Sequence, residues 1–259
     1  MQILVTGGAS GIGKATVHKL LEKQHNVVVL DIDEESLEQL PEEVTKYHGD
    51  VYDEERVKEV IEAEDFDVLV NCAGYYELGS IEDMDSDTLE DHFRTNVFGT
   101  MNVNRNAAPQ LREKNGRIIN VSSVAGRISM PFYGPYCATK YSIEALSDAL
   151  RYEMRPFDVD VVIIEPGPIK TGFNERAREK LEKYLPNSIY SERYQKLLGN
   201  KGRAEVGAEK AANIVVEAIE TSDPKRRYTV TWEAWLLPKL KRILPSRIWD
   251  YIIRKGLDY

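Results

Sequence analysis

Only two cysteines, Cys72 and Cys137, occur in 259 residues, so a disulfide framework is excluded and burial of apolar surface must hold the chain. So few cysteines suit a reducing compartment, and a cytoplasmic location is expected. The four histidines are scattered without ligand spacing, so no metal site is expected. No apolar run is long enough to span a bilayer. The opening Met1–Val5 runs straight into a glycine turn, with no basic flank or small-residue cleavage site, so no secretory signal is expected. Positive charge is in deficit, 34 basic against 43 acidic residues for a formal charge of -9, which excludes a nucleic-acid-binding surface covering the whole protein.

What is present is an alternation of short apolar runs and helical patterns. Residues 2–5, 27–30, 44–48, 66–70, 116–121, 159–164 and 228–231 read as strands, several of them continuous apolar runs suited to a sheet buried on both faces. Between them, 14–24, a short helix that 37–41 closes, 87–113, 135–155 and 207–219 read as helices, the third interrupted in character by Gly99 and Pro109. The fold class expected is α/β: a single doubly wound Rossmann domain over 1–259, with a mainly parallel seven-stranded sheet and helices on both faces.

After the first strand comes Thr6-Gly7-Gly8-Ala9-Ser10-Gly11-Ile12-Gly13, a glycine-rich turn that opens a helix. Glycines let the backbone approach a pyrophosphate, whose charge the free amides of a helix N-terminus favour. Asp31 ends the next strand, where a carboxylate can bond ribose hydroxyls and repel a 2′-phosphate. Ile32-Asp33-Glu34-Glu35 supplies no arginine to neutralise such a phosphate and Ser10 is not basic, so NAD is expected in preference to NADP. Asp50, followed by Val51, either bonds the adenine amino group or caps the helix that starts near Asp53. Asn71-Cys72-Ala73-Gly74 ends the fourth strand with small residues that admit a cofactor.

The stretch Ser123–Lys140 carries the chemistry. Tyr136 and Lys140 lie four residues apart, on one helical face, with Pro135 suited to the first turn. An ammonium about 4 Å from a phenol, at an effective dielectric of ~20, lowers its pKa by about three units, enough for general acid/base work near neutrality. The spacing alone proves little, because Tyr251 and Lys255 repeat it. There Pro238 stands where Ser123 stands, and no glycine loop is near, so that pair reads as part of an amphipathic surface helix. Asn96, in the middle of a helix, points by itself only to local bonding or solvation.

Taken together, TGGASGIG, NCAG, TNVFGT, VSSVAG, YCATK and EPGPIKT, in that order and spacing, resemble the short-chain dehydrogenase/reductase family over nearly the whole chain. Within it, SVAG, PFYGPYCATK and EPGPIKT are most similar to the hydroxysteroid and retinol dehydrogenase branch. The resemblance implies Tyr136 as general acid/base, with Lys140 lowering its pKa and holding the nicotinamide ribose. It implies Ser123 as the hydrogen-bond partner of the reacting oxygen, and Asn96 as the fourth catalytic member, anchoring a proton-relay water. Asn71, Ala73 and Gly74 would line the cofactor cleft, while Pro166, Gly167, Ile169 and Thr171 would meet the nicotinamide. Cys72 departs from the usual asparagine. The reaction implied is NAD(P)-dependent hydride transfer with a secondary alcohol or ketone; a non-catalytic NAD(H)-binding sensor or scaffold is the alternative. Association through helices 87–113 and 135–155 into a homodimer or homotetramer is also implied.

Tyr75, Tyr76, Met130, Phe132 and Tyr133 suggest an apolar pocket and a lipophilic substrate. Residues 172–204 read as a small helical substrate lobe able to cap it. The tail 232–259 is aromatic, basic and divided by Pro238 and Pro245. Packing over the lobe or a neighbouring subunit is the preferred reading, and contact with a membrane interface the other.

Overall fold

The computed structural model describes residues 1–199 and 206–256, so the end of the expected lobe, 200–204, and of the tail, 257–259, lie outside the described residues. In chain order the elements are β1 (Gln2–Thr6), α1 (Gly11–Glu22), β2 (Asn26–Asp31), α2 (Glu34–Glu38), β3 (Thr45–His48), α3 (Glu54–Ala63) and β4 (Val68–Asn71). Then come α4 (Ser86–Phe93), a π-helical turn (Arg94–Gly99), α5 (Thr100–Lys114), β5 (Arg117–Val121), α6 (Gly134–Met154), β6 (Asp160–Glu165) and β7 (Ile169–Lys170). The chain continues through α7 (Gly172–Leu181), α8 (Ser191–Gly199), β8 (Val206–Gly207), α9 (Ala208–Glu220), β9 (Arg227–Thr229), α10 (Trp232–Ile243) and α11 (Ser246–Gly256).

Seven strands form one sheet in the order β3-β2-β1-β4-β5-β6-β9, every neighbouring pair parallel. Alternation along the strands divides the core into two layers. Ile3, Val5, Val27, Val29, Val70 and Ile164 face α1 and α9. Leu4, Val28, Leu30, Leu69, Ile118 and Val161 face α3 and α5. This is the doubly wound arrangement expected, and all seven strands fall within two residues of their expected places. At the sheet edge, Arg227 ties β9 to α6 and β6 through Glu144 at 3.0 Å, Asp148 at 2.7 Å and Glu165 at 3.2 Å.

Three expectations change. The helix expected over 87–113 is α4 and α5 joined by the π-helical turn, which carries Asn96. An i→i+5 turn inside a helix swings a side chain out of the regular face, and such turns favour functional sites. Pro238 does not divide the tail: it sits inside α10, as Pro109 sits inside α5. Packing of Ala234, Leu237 and Leu240 against Val124 and Ile128 holds α10 together across the missing bond. The region after β6 also contains a two-stranded parallel pairing, β7 with β8, too short to leave a periodic signal.

Polar side chains also sit in the middle of the sheet. Asn71 donates to Asn104 at 2.8 Å and Asn120 at 2.9 Å, and Asn120 donates to Ser147 at 2.9 Å. These fully buried groups are satisfied by one another, which fixes β4 and β5 against α5 and α6. Asn120→Ala strips partners from Asn71 and Ser147 and should cost about 2–3 kcal/mol, read as a lower urea midpoint at unchanged slope.

Candidate active site

The site lies at the carboxyl ends of the central strands, where open parallel sheets bind ligands. Thr6 leads out of β1 into the glycine turn. Gly7 has φ +67°, and a Cβ there would stand 2.5 Å from the Ala73 nitrogen, so only glycine lets the turn lie against the end of β4. A Cβ on Gly13 would meet the Gly7 carbonyl at 2.0 Å, which closes α1 onto the turn. Thr6 Oγ1 donates to Asn71 Oδ1 at 3.3 Å and accepts from the Ala73 amide at 3.4 Å. Asp31, buried at the end of β2, accepts from the amides of Ala9 at 2.8 Å and Asp33 at 3.0 Å. Its carboxylate is thereby aimed beside the glycine turn. Ser10 precedes α1 without a side-chain cap bond, and Ile12 packs onto the core.

Asp50 does not cap α3. Asp53 does so, accepting from the Arg56 amide at 3.1 Å, while Asp50 closes its own turn on the Tyr52 amide at 2.9 Å and faces Arg94 at 3.9 Å. Val51 is core, with its carbonyl accepting from Asn102 at 2.9 Å. The loop after β6 comes back to the glycine turn: a Cβ on Gly11 would lie 3.7 Å from Thr171. Pro166 accepts from the Val124 amide at 2.8 Å, and Gly167 presses on Thr231, where a Cβ would approach to 2.1 Å. Ile169 is buried in β7.

Ser123 follows β5 in extended backbone, and its hydroxyl accepts from the Ala125 amide at 3.1 Å. One element later, α6 presents Tyr136 and Lys140. Burial pushes the Tyr136 phenol above the ordinary tyrosine range, and its hydrogen bond with Ser123 opposes that shift. Lys140 Nζ lies 5.8 Å from the centre of the Tyr136 ring and donates to the Val121 carbonyl at 3.0 Å. The expectation that the ammonium lowers the phenol's pKa is corrected in direction, because burial dominates and the net shift is upward. Here burial sets Tyr136, and burial also lowers Lys140 to about 8, against the opposing pull of Cys72 and Glu144. Burial lifts the Cys72 thiol to about 12, and the Lys140 charge opposes that rise.

Asn96, buried in the π-helical turn, accepts from the Tyr75 amide at 2.7 Å and donates to the Tyr75 carbonyl at 2.7 Å and Thr139 Oγ1 at 3.1 Å. Its amide thus clamps the chain beyond Gly74 onto α6. Neither Thr139 nor the partner of Tyr75, Glu77, stood out in the sequence, because each matters only through contacts distant along the chain. Glu77 is only 2% exposed, yet it gathers Tyr75 at 2.9 Å, Tyr184 at 3.0 Å, Lys180 at 3.6 Å and a close ion pair with Lys183. Burial raises its pKa, but the hydrogen bonds from Lys183, Tyr75 and Tyr184 outweigh this and hold the carboxyl below the ordinary glutamate range. This cluster fastens α7 and the turn after it to the strand-end loop.

The aromatic residues divide. Tyr76 lies 4.8 Å from Tyr136, 5.8 Å from Tyr133 and 5.2 Å from Phe173 of the lobe, ring centre to ring centre. Phe132, at φ +68°, packs edge-on against Tyr194 at 5.1 Å. Tyr75 instead meets His92, and Met130 packs with α10 and α11. The wall beside Tyr136 is therefore Tyr76, Tyr133 and Phe173. Among the described residues no cluster of histidine, cysteine or carboxylate side chains is arranged to hold a metal ion.

A glycine turn at a helix start, a strand-end aspartate and a parallel sheet in this order define a dinucleotide-binding Rossmann-like oxidoreductase fold. The chain belongs to the short-chain dehydrogenase family, whose model matches residues 1–182. A relative from Helicobacter pylori, described as a probable short-chain type dehydrogenase/reductase (VdlC), is 35% identical over 97% of this chain and 96% of its own. An NADPH-dependent 3-dehydrocapnine reductase of Ornithobacterium rhinotracheale is 30% identical over 98% and 96%. Two solved structures share the fold. A short-chain dehydrogenase from Burkholderia cenocepacia in complex with NADP has a TM-score of 0.80 at 22% identity, covering 95% and 94% of the two chains. One from Burkholderia phymatum in complex with NAD has a TM-score of 0.79 at 23% identity, covering 93% and 92%.

The buried Lys140 makes stability depend on pH. Below about pH 8 the folded and unfolded chains both carry the ammonium, and the cost of burying it is present in full. Above that, the folded chain has released the proton while the unfolded chain still binds it, so stability rises with pH. The urea midpoint should climb between about pH 8 and ~9.5, below the tyrosine range, and Lys140→Met should remove that climb.

Proposed function

We propose that the chain is a nicotinamide-dependent alcohol dehydrogenase or ketone reductase acting on lipophilic secondary alcohols or ketones, with NAD preferred to NADP. The observation that carries this reading is the placement of Ser123 against Tyr136, with Lys140 one helical turn on, beside the glycine turn and its aspartate. Bound nicotinamide would supply hydride to a carbonyl carbon, or accept it from a carbinol. In reduction, Tyr136, kept protonated near neutral pH by burial, gives its phenolic proton to the carbonyl oxygen as that oxygen gains charge. Ser123 hydrogen-bonds the same oxygen. Lys140 holds positive charge behind the phenol as it ionises, and the carbonyl with one hydride and one proton becomes the alcohol. Asn96 orders Tyr75 and Thr139 around the pair.

Tyr76, Tyr133 and Phe173 beside Tyr136 favour an apolar substrate over a charged one. The cofactor preference rests on Asp31. Arg176 is brought to this end of the sheet by α7 and stands 3.9 Å from Asp33. The NADPH-dependent relative and the NADP-bound neighbour take the other cofactor, which makes the choice a direct test. Self-association through α5 and α6 is supported by the exposed Phe98, Leu146 and Tyr152 on these helices and the turn before them.

Tyr136→Phe should retain NADH binding and lose turnover by a factor on the order of 10²–10⁴, measured by titration and by steady-state absorbance. Wild-type turnover in this variant would remove Tyr136 from the reaction. For the cofactor, kcat/KM should favour NADH over NADPH by about tenfold or more, and Asp31→Ser should narrow that ratio. Equal use of the two by the wild-type chain would reject the role given to Asp31.

A further inference from the structure

We propose that the outward faces of α10 and α11 form a docking surface for an anionic lipid bilayer. Trp232, Trp235, Lys239, Arg242 and Ile243 recur at spacings of three, four, three and one, which places them on one stripe of α10 about 100° wide. The stripe is open: Trp232 is 66%, Trp235 54% and Ile243 77% exposed. Two of the three tryptophans of the chain therefore face outward from one short helix. On α11, Ile248 and Tyr251 are exposed between Arg247 and Arg254, while Trp249 and Ile253 turn inward.

The inward faces are already satisfied. Ala234, Leu237 and Trp249 pack on Val124 and Ile128, and Lys241 donates to the Arg127 carbonyl at 3.2 Å and to the Tyr141 hydroxyl at 2.6 Å. The tail expected over the lobe packs instead on the loop after β5, which accounts for one side of these helices and leaves the other uncovered among the described residues.

Charge selects the occupant. Residues 232–256 hold six basic residues against two acidic ones in a chain whose formal charge is -9. A second copy meeting this patch about a two-fold axis would bring like charges together. Tryptophan, tyrosine and isoleucine flanked by lysine and arginine match the boundary between headgroups and acyl chains of an anionic leaflet, where each basic residue strengthens binding about fivefold. Because α10 packs directly behind Val124, next to Ser123, docking would bring the site to the lipid phase.

The intact chain is sedimented with vesicles of phosphatidylcholine alone and of phosphatidylcholine with phosphatidylglycerol. We expect pelleting with the anionic vesicles, reversed by salt, and a blue shift of tryptophan fluorescence. Two variants divide the patch: Trp232→Ser with Trp235→Ser, and Lys239→Glu with Arg242→Glu. Each should weaken vesicle binding by roughly tenfold or more while NADH binding and the melting transition stay as in the wild type. No pelleting with anionic vesicles at low salt, equal pelleting with both vesicle types, or full binding by either variant would overturn the proposal. So would a wild-type dimer that these substitutions dissociate while vesicle binding persists.

Discussion

One buried ammonium constrains the rest of the site. Lys140 cannot stay charged away from water without a partner, and it finds the carbonyl of Val121 at the last residue of β5, 3.0 Å away. That bond fixes the start of α6 against the end of the strand that delivers Ser123. With Lys140 held, Tyr136 one turn earlier comes into hydrogen-bond reach of Ser123. The arrangement costs stability at neutral pH, as local strain and desolvation at functional sites commonly do. It persists because the sheet, through the asparagine-serine network that ties Asn120 of β5 to Ser147, seats α6.

Two further layers depend on that seat. Thr139, between Tyr136 and Lys140, accepts from Asn96, and Asn96 holds both backbone groups of Tyr75. Tyr75 then bonds Glu77, the buried carboxylate that binds Lys180 and Lys183 of the lobe. A continuous set of polar contacts therefore runs from the tyrosine-lysine helix to the lobe that stands over it. Phe173 reaches back from the lobe to within 6.3 Å of the Tyr136 ring centre. Lobe position and the wall of the pocket are thus coupled by contact.

The sheet was legible in the sequence because each strand is a run of branched apolar residues bounded by polar ones, as in Val27-Val28-Val29-Leu30. The glycine turn and Asp31 were legible because glycine and a strand-end carboxylate act through the backbone at fixed offsets. Ser123, Tyr136 and Lys140 were legible as a spacing, though the spacing misjudged the electrostatics: burial raises Tyr136 and lowers Lys140. The π-helical turn around Asn96 was not legible, since periodicity does not distinguish it from a helix with a glycine in it. Glu77 was not legible either. A single glutamate after a strand carries no signal until Tyr184, Lys180 and Lys183, a hundred residues on, fold over it. Pro238 misled, because propensity argues against a proline within a helix and tertiary packing of α10 overrides it.

The most direct test of the proposed hydride transfer at Ser123, Tyr136 and Lys140 follows the label itself. NADH carrying deuterium at C4 of the nicotinamide is supplied with a series of lipophilic ketones, and the product alcohol is analysed by mass spectrometry. Deuterium on the carbinol carbon, one atom per molecule and from one face of the ring only, is the expected result. An alcohol whose carbinol hydrogen comes from solvent, or NADH bound without any product across the series, would contradict it.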